Sequence, residues 1–148
     1  MGSGDQLPGL ERLANELGIV ARCHFEPATA AIPEWLSTMD IFVLPSRSEA
    51  FSNSLMEAMA CGCCAIASDV GGNPELIRHT ETGLLFPVAD SEALAAMLRT
   101  VIAEPATRAR LANAGERLIR TNFSAGAAAA RMGEIYLRLL EKVRPSVQ

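Results

Sequence analysis

The chain has 148 residues, of which 49% are hydrophobic, and its formal net charge is −4 at pH 7. The length suits one domain that buries a core, and the hydrophobic content argues against a disordered chain. The acidic balance and the scattering of basic residues argue against a nucleic-acid partner. Every apolar run is shorter than a membrane-spanning helix requires.

Apolar residues at helical and strand spacing predict that helices and strands alternate along the chain. The expected elements are, in chain order, a helix at residues 7–17, a short strand at 20–25, a short helix at 33–37, a buried strand at 41–44, a helix at 53–60, a buried strand at 64–68, a tight turn at 71–74, a short helix at 74–77, a brief strand at 84–86, and helices at 91–103, from 105 to about 120, and after Ser124.

The C-terminal helices carry apolar faces. In the helix at 91–103, the expected face consists of Leu94, Leu98, Val101 and Ile102. Ser124 can cap the last helix, which has a longer apolar stripe. We expect this stripe to pack against the domain or a neighbour, and contact with a membrane surface is the alternative. The stripe consists of Met132, Ile135, Tyr136, Leu139, Leu140 and Val143.

The predicted strands are apolar along their length, which is typical of a parallel sheet with helices on both faces. We therefore expect a doubly wound α/β fold in one domain over residues 1–148. Ligands of such sheets bind at the carboxyl ends of the strands. Loops at residues 25–27, 45–51 and 69–73 follow predicted strands, so we expect these loops to form one site.

Residues 1–5 lack the charged and apolar regions of a signal peptide, so we expect a cytoplasmic protein with reduced thiols. The four cysteines are Cys23, Cys61, Cys63 and Cys64. Their spacing lacks the two separated pairs of a typical metal site. We therefore expect them to pack as small hydrophobic side chains and expect no metal site.

Two carboxylates, Glu49 and Glu57, stand out because small polar residues that suit a helix N-terminus lie between them. Such carboxylates accept paired hydrogen bonds from vicinal hydroxyls of a sugar or ribose. Two carboxylates also form the acid–base pair of glycoside hydrolysis. The structural alternative is one helix-dipole partner and one solvated surface residue.

The residues around these carboxylates resemble a known family. The spacing of Glu49 and Glu57 fits an E-x7-E motif, and four further runs match in order. From about Gly4 to Tyr136 the chain is similar to the C-terminal, donor-binding domain of retaining GT-B glycosyltransferases, the glycosyltransferase family 4-like or "glycosyl transferases group 1" proteins. The matching runs are residues 39–46 (MDIFVLPS), 57–62 (EAMACG), 67–77 (ASDVGGNPELI) and 82–87 (TGLLFP), followed by Phe123 and Ser124.

This resemblance implies a site for a nucleoside-diphosphate sugar, with no metal or other cofactor. Glu49 would be the catalytic residue and contact hydroxyls of the donor sugar, which is transferred with retention. Glu57 would bind the ribose, and the amides of residues 53–55 would approach the diphosphate. The implied donor-binding residues are Glu49, Phe51, Ser52, Asn53, Ser54, Leu55 and Glu57, with Phe25, Glu26 and Pro27 near the nucleobase.

The resemblance also implies a partial domain truncated at its N-terminus, with residues 2–4 in the loop after the family's second strand. The acceptor-binding domain and the basic pair that neutralises the diphosphate would then lie outside the chain. We expect weak donor binding, no sugar transfer by the chain alone, and exposed sheet edges that favour self-association or a partner chain.

Three alternatives stay open at this point. One is a non-catalytic nucleotide-sugar-binding module that complements a partner chain, and another is a purely structural fragment. The third is a GT-B nucleotide-sugar epimerase, against which the E-x7-E spacing argues. The acceptor is expected to be a lipid or a saccharide, and peripheral contact with the inner face of the membrane is also open.

Overall fold

The computed structural model describes residues 4–143, without the side chain of Val143. The expectations for residues 1–3 and for the Val143 side chain lie outside the described residues. The described chain forms two compact units that divide between Glu34 and Trp35. Its helices are α1 (Leu7–Glu16), α2 (Ile32–Leu36), α3 (Asn53–Ala60), α4 (Asn73–Leu76), α5 (Ser91–Ala103), α6 (Pro105–Asn122) and α7 (Ala125–Val143), and its strands are β1 (Ile41–Leu44), β2 (Cys64–Ser68) and β3 (Leu84–Phe86).

The first unit contains α1, as predicted, but the prediction of a strand at residues 20–25 is wrong. Val20–Arg22 form a single turn of 3-10 helix instead. The amide of Arg22 donates to the carbonyl of Ile19, and that of Cys23 donates to the carbonyl of Val20. A segment without a neighbouring strand satisfies its backbone groups through such a local turn, although Val20 has a β-branched side chain that favours strands.

The second unit is built on a parallel three-stranded sheet in the order β1-β2-β3. Ile41 is paired with Cys64 and Ile66 with Leu84, which fixes the register on the two sides of β2. All five residues of β2 are buried, as expected for a central strand with helices on both faces. The α/β fold class and the parallel sheet predicted from the sequence are confirmed.

Alternate residues of β2 face two separate hydrophobic clusters. Ala65 and Ala67 contact the first cluster, to which α3 contributes Leu55 and Met59 and α6 contributes Ile119. The second cluster lies on the other face of the sheet. It consists of Cys64 and Ile66 of β2, Leu84 and Phe86 of β3, Val101 of α5, and Leu111 and Ala112 of α6. Because α6 contributes to both clusters, it stabilises both faces of the sheet.

Two burial predictions in this unit are wrong. We expected β1 to be buried, but all four of its residues are half-buried, because β1 is an outer strand of the sheet that the described residues form. Ile102 was expected on the packed face of α5, but its side chain is exposed. Val101 is fully buried, and successive helical residues point about 100° apart, so Ile102 turns away from the core.

The apolar stripe of α7 does not pack against the rest of the described chain. Its hydroxyl cap is present as predicted, since Ser124 Oγ accepts the amide of Ala127 at 3.2 Å. The stripe side chains that the structure describes are all exposed, from Ile135 at 47% to Leu140 at 62%. For the described residues the stripe therefore does not pack against this domain, and packing against a neighbour, the other part of the expectation, stays a prediction.

Cys63 and Cys64 are buried and free, whereas Cys23 and Cys61 are half-buried and free. Burial, and to a smaller extent the neighbouring Cys61, Cys64 and Asp40, raises the pKa of the Cys63 thiol to about 11. Burial also raises the pKa of Cys64. The Cys63 thiol donates to the carbonyl of Leu36 at 3.2 Å. Both thiols are neutral at pH 7, so they pack as hydrophobic groups, as predicted, and are poor nucleophiles.

Candidate functional site

Two of the three predicted loops meet at the carboxyl edge of the sheet. The loop after β1 carries Glu49, and the loop after β2 carries Gly71 and Gly72. A Cβ atom on Gly71 would overlap the carbonyl oxygen of Glu49, and one on Gly72 would overlap that of Ala50. Gly71 also has a φ of +51°, a conformation that favours glycine. The two glycines thus form the predicted turn and also allow the second loop to support the backbone of Glu49.

The Glu49 carboxylate is half-buried and held by a neighbouring hydroxyl. Ser46 Oγ donates to Glu49 Oε1 at 2.6 Å. Ser68, at the end of β2, donates its own hydroxyl to the carbonyl of Ser46 at 2.6 Å. Glu49 is therefore a fixed acceptor at the carboxyl edge of the sheet, where ligands of parallel sheets bind.

The N-terminus of α3 follows this loop directly. Ser52 caps it, because Ser52 Oγ accepts the amide of Leu55 at 3.3 Å. The amides of Asn53 and Ser54 belong to the first turn, where helix geometry provides no carbonyl partner. They can donate to an anion at the positive end of the helix dipole. The sequence predicted that the amides of residues 53–55 bind an anion. The amide of Leu55 already donates to the Ser52 cap, and the Leu55 side chain is buried, so the amides of the first two residues are the available donors.

Glu57 lies in the second turn of α3 and is exposed to solvent. It lines an open cleft of about 310 Å³, together with Asn53, Met56, Arg120, Phe123 and Ser124. Arg120 donates within this region to Glu116 Oε1 at 2.7 Å and to the carbonyl of Ala60 at 3.3 Å. A carboxylate on the wall of a partly apolar cleft can accept paired hydrogen bonds from a hydroxylated ring.

Phe51 precedes the cap and packs against Phe123, with the ring centroids 5.8 Å apart. This contact joins the Glu49 loop to the end of α6, so the loop is supported from a second direction. Phe51 remains 39% exposed, which leaves part of its ring open to a ligand.

Phe25, Glu26 and Pro27 lie in the first unit. Phe25 and Glu26 line a cleft of about 190 Å³ within that unit, together with Leu7 and Leu10 of α1. Glu26 Oε2 lies 2.8 Å from His24 Nε2. The position of these residues beside a nucleobase stays a prediction.

Sequence reasoning missed the serine network that holds Glu49. Asn73 extends this network, because its Nδ2 donates to the carbonyl of Ser68 at 2.9 Å. The available signal was a serine at the end of each of two neighbouring parallel strands, Ser46 just past β1 and Ser68 at the end of β2. Polar residues at such positions lie side by side once the strands pair.

Among residues 4–143, no group of three or more His, Cys, Asp or Glu side chains could hold a metal ion. In the same part of the chain, no helix has the length and the hydrophobicity needed to cross a membrane.

Comparison with known proteins identifies relatives of this chain. A D-inositol 3-phosphate glycosyltransferase of Thermomonospora curvata is 38% identical over 138 residues, which cover 91% of this chain and 32% of that protein. The chain spans about a third of the length of the curated relatives that it matches.

Solved structures match the fold closely. Sucrose-phosphate synthase of Thermosynechococcus elongatus matches with a TM-score of 0.83 and 32% identity, over 95% of this chain and 37% of that one. HepE of Anabaena in complex with UDP matches with a TM-score of 0.85 and 26% identity, over 90% and 37%. The C-terminal domain of a group 1 glycosyl transferase, LpcC, of Francisella tularensis matches with a TM-score of 0.74 and 29% identity, over 83% and 66%.

The family-level comparison agrees with these matches. The family described as "Glycosyl transferases group 1" matches residues 1–118, which is most of the chain. The family and the GT-B-type fold predicted from the sequence motifs are confirmed. The chain therefore belongs to the glycosyl transferases group 1 family.

Proposed function

We propose that this chain is the donor-binding part of a retaining glycosyltransferase that uses a nucleoside-diphosphate sugar. The observation that carries this proposal is the match to HepE, which covers 90% of this chain and whose solved structures hold UDP or UDP-glucose. The proposed acceptor of the complete enzyme is a lipid or a saccharide, in line with two relatives that are named for lipopolysaccharide core biosynthesis. Other relatives are named for D-inositol 3-phosphate, a smaller hydroxylated acceptor.

The geometry of the second unit supports specific roles in donor binding. The amides of Asn53 and Ser54 at the start of α3 donate to the diphosphate, and the helix dipole favours its negative charge. Glu57, on the wall of the adjacent cleft, accepts hydrogen bonds from the two ribose hydroxyls. Glu49, which Ser46 holds at the edge of the sheet, accepts from hydroxyls of the donor sugar.

In this proposal the chain supplies part of the groups that stabilise the charges formed during sugar transfer. Departure of the nucleoside diphosphate places negative charge on the diphosphate and positive charge on the sugar ring, and both need preorganised partners. Glu49 and the α3 amides provide part of this stabilisation. The acceptor-binding domain provides the remainder, so the chain alone binds donor weakly and transfers no sugar. The proposed location is the cytoplasm, and the proposed donor site needs no metal.

The first test is to titrate the purified chain with UDP, GDP and ADP while following backbone amide NMR shifts. We expect one nucleotide to shift the amides of Asn53 and Ser54. Replacing Glu57 by alanine removes hydrogen bonds between the ribose and a charged group. We therefore expect the affinity of the chain for that nucleotide to fall about tenfold to a hundredfold.

Glu92→Ala is the matched control, because Glu92 is an exposed carboxylate in the first turn of another helix, α5. Its affinity should equal that of the unmodified chain. Equal affinity in Glu57→Ala would overturn the role of Glu57. A folded chain that responds to none of the three nucleotides would overturn the proposal that this chain carries the donor site.

A further inference from the structure

The hydrogen bond between Ser46 and Glu49 has the geometry of a strong, charge-assisted contact. The distance from Ser46 Oγ to Glu49 Oε1 is 2.6 Å, within the range typical of a hydroxyl that donates to a carboxylate. Both residues are half-buried, so solvent competes weakly for the carboxylate oxygen. Glutamate has three side-chain torsions, and a single fixed donor at this distance selects one arrangement of them.

Ser46 is itself held from the interior of the sheet. Ser68, which is 1% exposed, donates its hydroxyl to the carbonyl of Ser46 at 2.6 Å. The carbonyl of Ser68 accepts Nδ2 of Asn73, a fully buried side chain, at 2.9 Å. The Glu49 carboxylate is thus connected to the buried end of β2 through a continuous series of hydrogen bonds.

The backbone of Glu49 is restrained separately. Gly71 and Gly72 pass so close to the carbonyls of Glu49 and Ala50 that neither position has room for a Cβ atom. Removing the Ser46 hydroxyl would therefore free the carboxylate without freeing the loop. This separation allows the contribution of Ser46 to be measured in a chain that stays folded.

We propose that Ser46 is a positioning residue that fixes the Glu49 carboxylate for the donor sugar, with Ser68 holding Ser46 in place. This inference rests on the proposed function, because it takes Glu49 as the group that accepts the sugar hydroxyls. It separates two parts of donor recognition. The nucleotide is bound by α3 and its cleft, whereas the affinity added by the sugar depends on the Ser46 hydroxyl.

The test compares UDP and UDP-glucose as probes, by calorimetry or amide NMR shifts, in the full chain. In Ser46→Ala the Glu49 carboxylate is no longer held in one arrangement. Ordering it when the sugar binds then costs free energy, which weakens the affinity. We therefore expect the Kd for UDP-glucose to rise about three- to tenfold while the Kd for UDP changes less than twofold. Ser46→Thr keeps the hydroxyl and should restore the affinity for UDP-glucose.

Ser48→Ala is the matched control, because Ser48 is an exposed serine of the same loop. Its affinities should equal those of the unmodified chain. An equal rise in Kd for UDP and UDP-glucose in Ser46→Ala would overturn the proposal, since it would show that Ser46 supports the whole site. So would an unchanged affinity for both probes.

A second readout needs no ligand. Three-bond NMR couplings report the χ1 and χ2 torsions of Glu49, and Ser46→Ala should convert a single rotamer into an average of several. Fully averaged couplings in the unmodified chain, or identical couplings in Ser46→Ala, would overturn the positioning role. If the unmodified chain binds neither probe but responds to GDP or ADP in the nucleotide titration, the same comparison is made with that nucleotide and its glucose conjugate. A chain that binds none of the three nucleotides fails the proposed function, and the couplings still decide whether Ser46 orders Glu49.

Discussion

At the scale of single residues, Gly71 determines how closely the two loops of the site approach each other. We predict that Gly71→Ala lowers the free energy of unfolding by more than about 2 kcal/mol, because the positive φ alone costs about 1–2 kcal/mol and the Cβ overlaps the Glu49 carbonyl. Urea unfolding followed by circular dichroism measures the change.

Gly133→Ala provides the comparison, since a Cβ atom at Gly133, inside α7, would meet nothing within 4 Å. There we expect a gain of up to about 1 kcal/mol from helix propensity. Similar effects at the two glycines would contradict the close approach of the loops. The sequence predicted a tight turn at Gly71, but the atom that excludes a side chain belongs to Glu49, which lies 22 positions away. A local pattern contains no information on such a contact.

At the scale of elements, α6 and α7 show that the helix with the longer apolar stripe need not be the one that is buried. Leu111 of α6 is 1% exposed and lies in the second cluster, whereas Leu140 of α7 is 62% exposed. We predict that Leu111→Ala lowers the free energy of unfolding by about 2–5 kcal/mol, and that Leu140→Ala changes it by less than about 0.5 kcal/mol.

Urea unfolding of the two variants at low protein concentration checks this prediction. A large loss at Leu140 would mean that another surface covers α7 in solution. The sequence predicted the type and approximate bounds of each helix from α3 to α7, because propensity, capping and glycine stops are local signals. It could not predict which apolar face finds a partner, because that depends on elements distant in the chain. The prediction of a strand at residues 20–25 was wrong for the same reason, because a strand needs a neighbouring strand that a local pattern does not reveal.

At the scale of the whole molecule, the two units differ in how well they are packed. In α1 the buried residue is Ala14, and Leu10 and Leu13 are about half exposed, at 54% and 49%. An isolated ten-residue helix is marginal in water, whereas β2 is buried at every position. We predict that the amides of α1 exchange with solvent at least about ten times faster than those of β2, relative to their intrinsic rates.

Hydrogen exchange followed by NMR measures this difference at single residues. Equal protection of α1 and β2 would mean that the chain unfolds as one cooperative unit. The parallel direction of β1, β2 and β3 could be predicted, because continuous apolar runs separated by helices are typical of a parallel sheet. Their order in the sheet could not be predicted from these local patterns. The division of the chain into two units near Glu34 and Trp35 could not be predicted, because no change of composition marks it in the sequence.

The two outer strands of the sheet differ in whether their edges can accept another strand. The amide of Leu85 in β3 donates to His79 Nδ1 at 3.0 Å, and His79 also forms a bridge with Gly83. An incoming strand would have to displace the imidazole to use that amide. β1, the other outer strand, pairs with β2 on one side, and none of its residues is fully buried. Addition of a strand at β3, whether by assembly with another polypeptide or by aggregation, is therefore opposed by a side chain of the same chain.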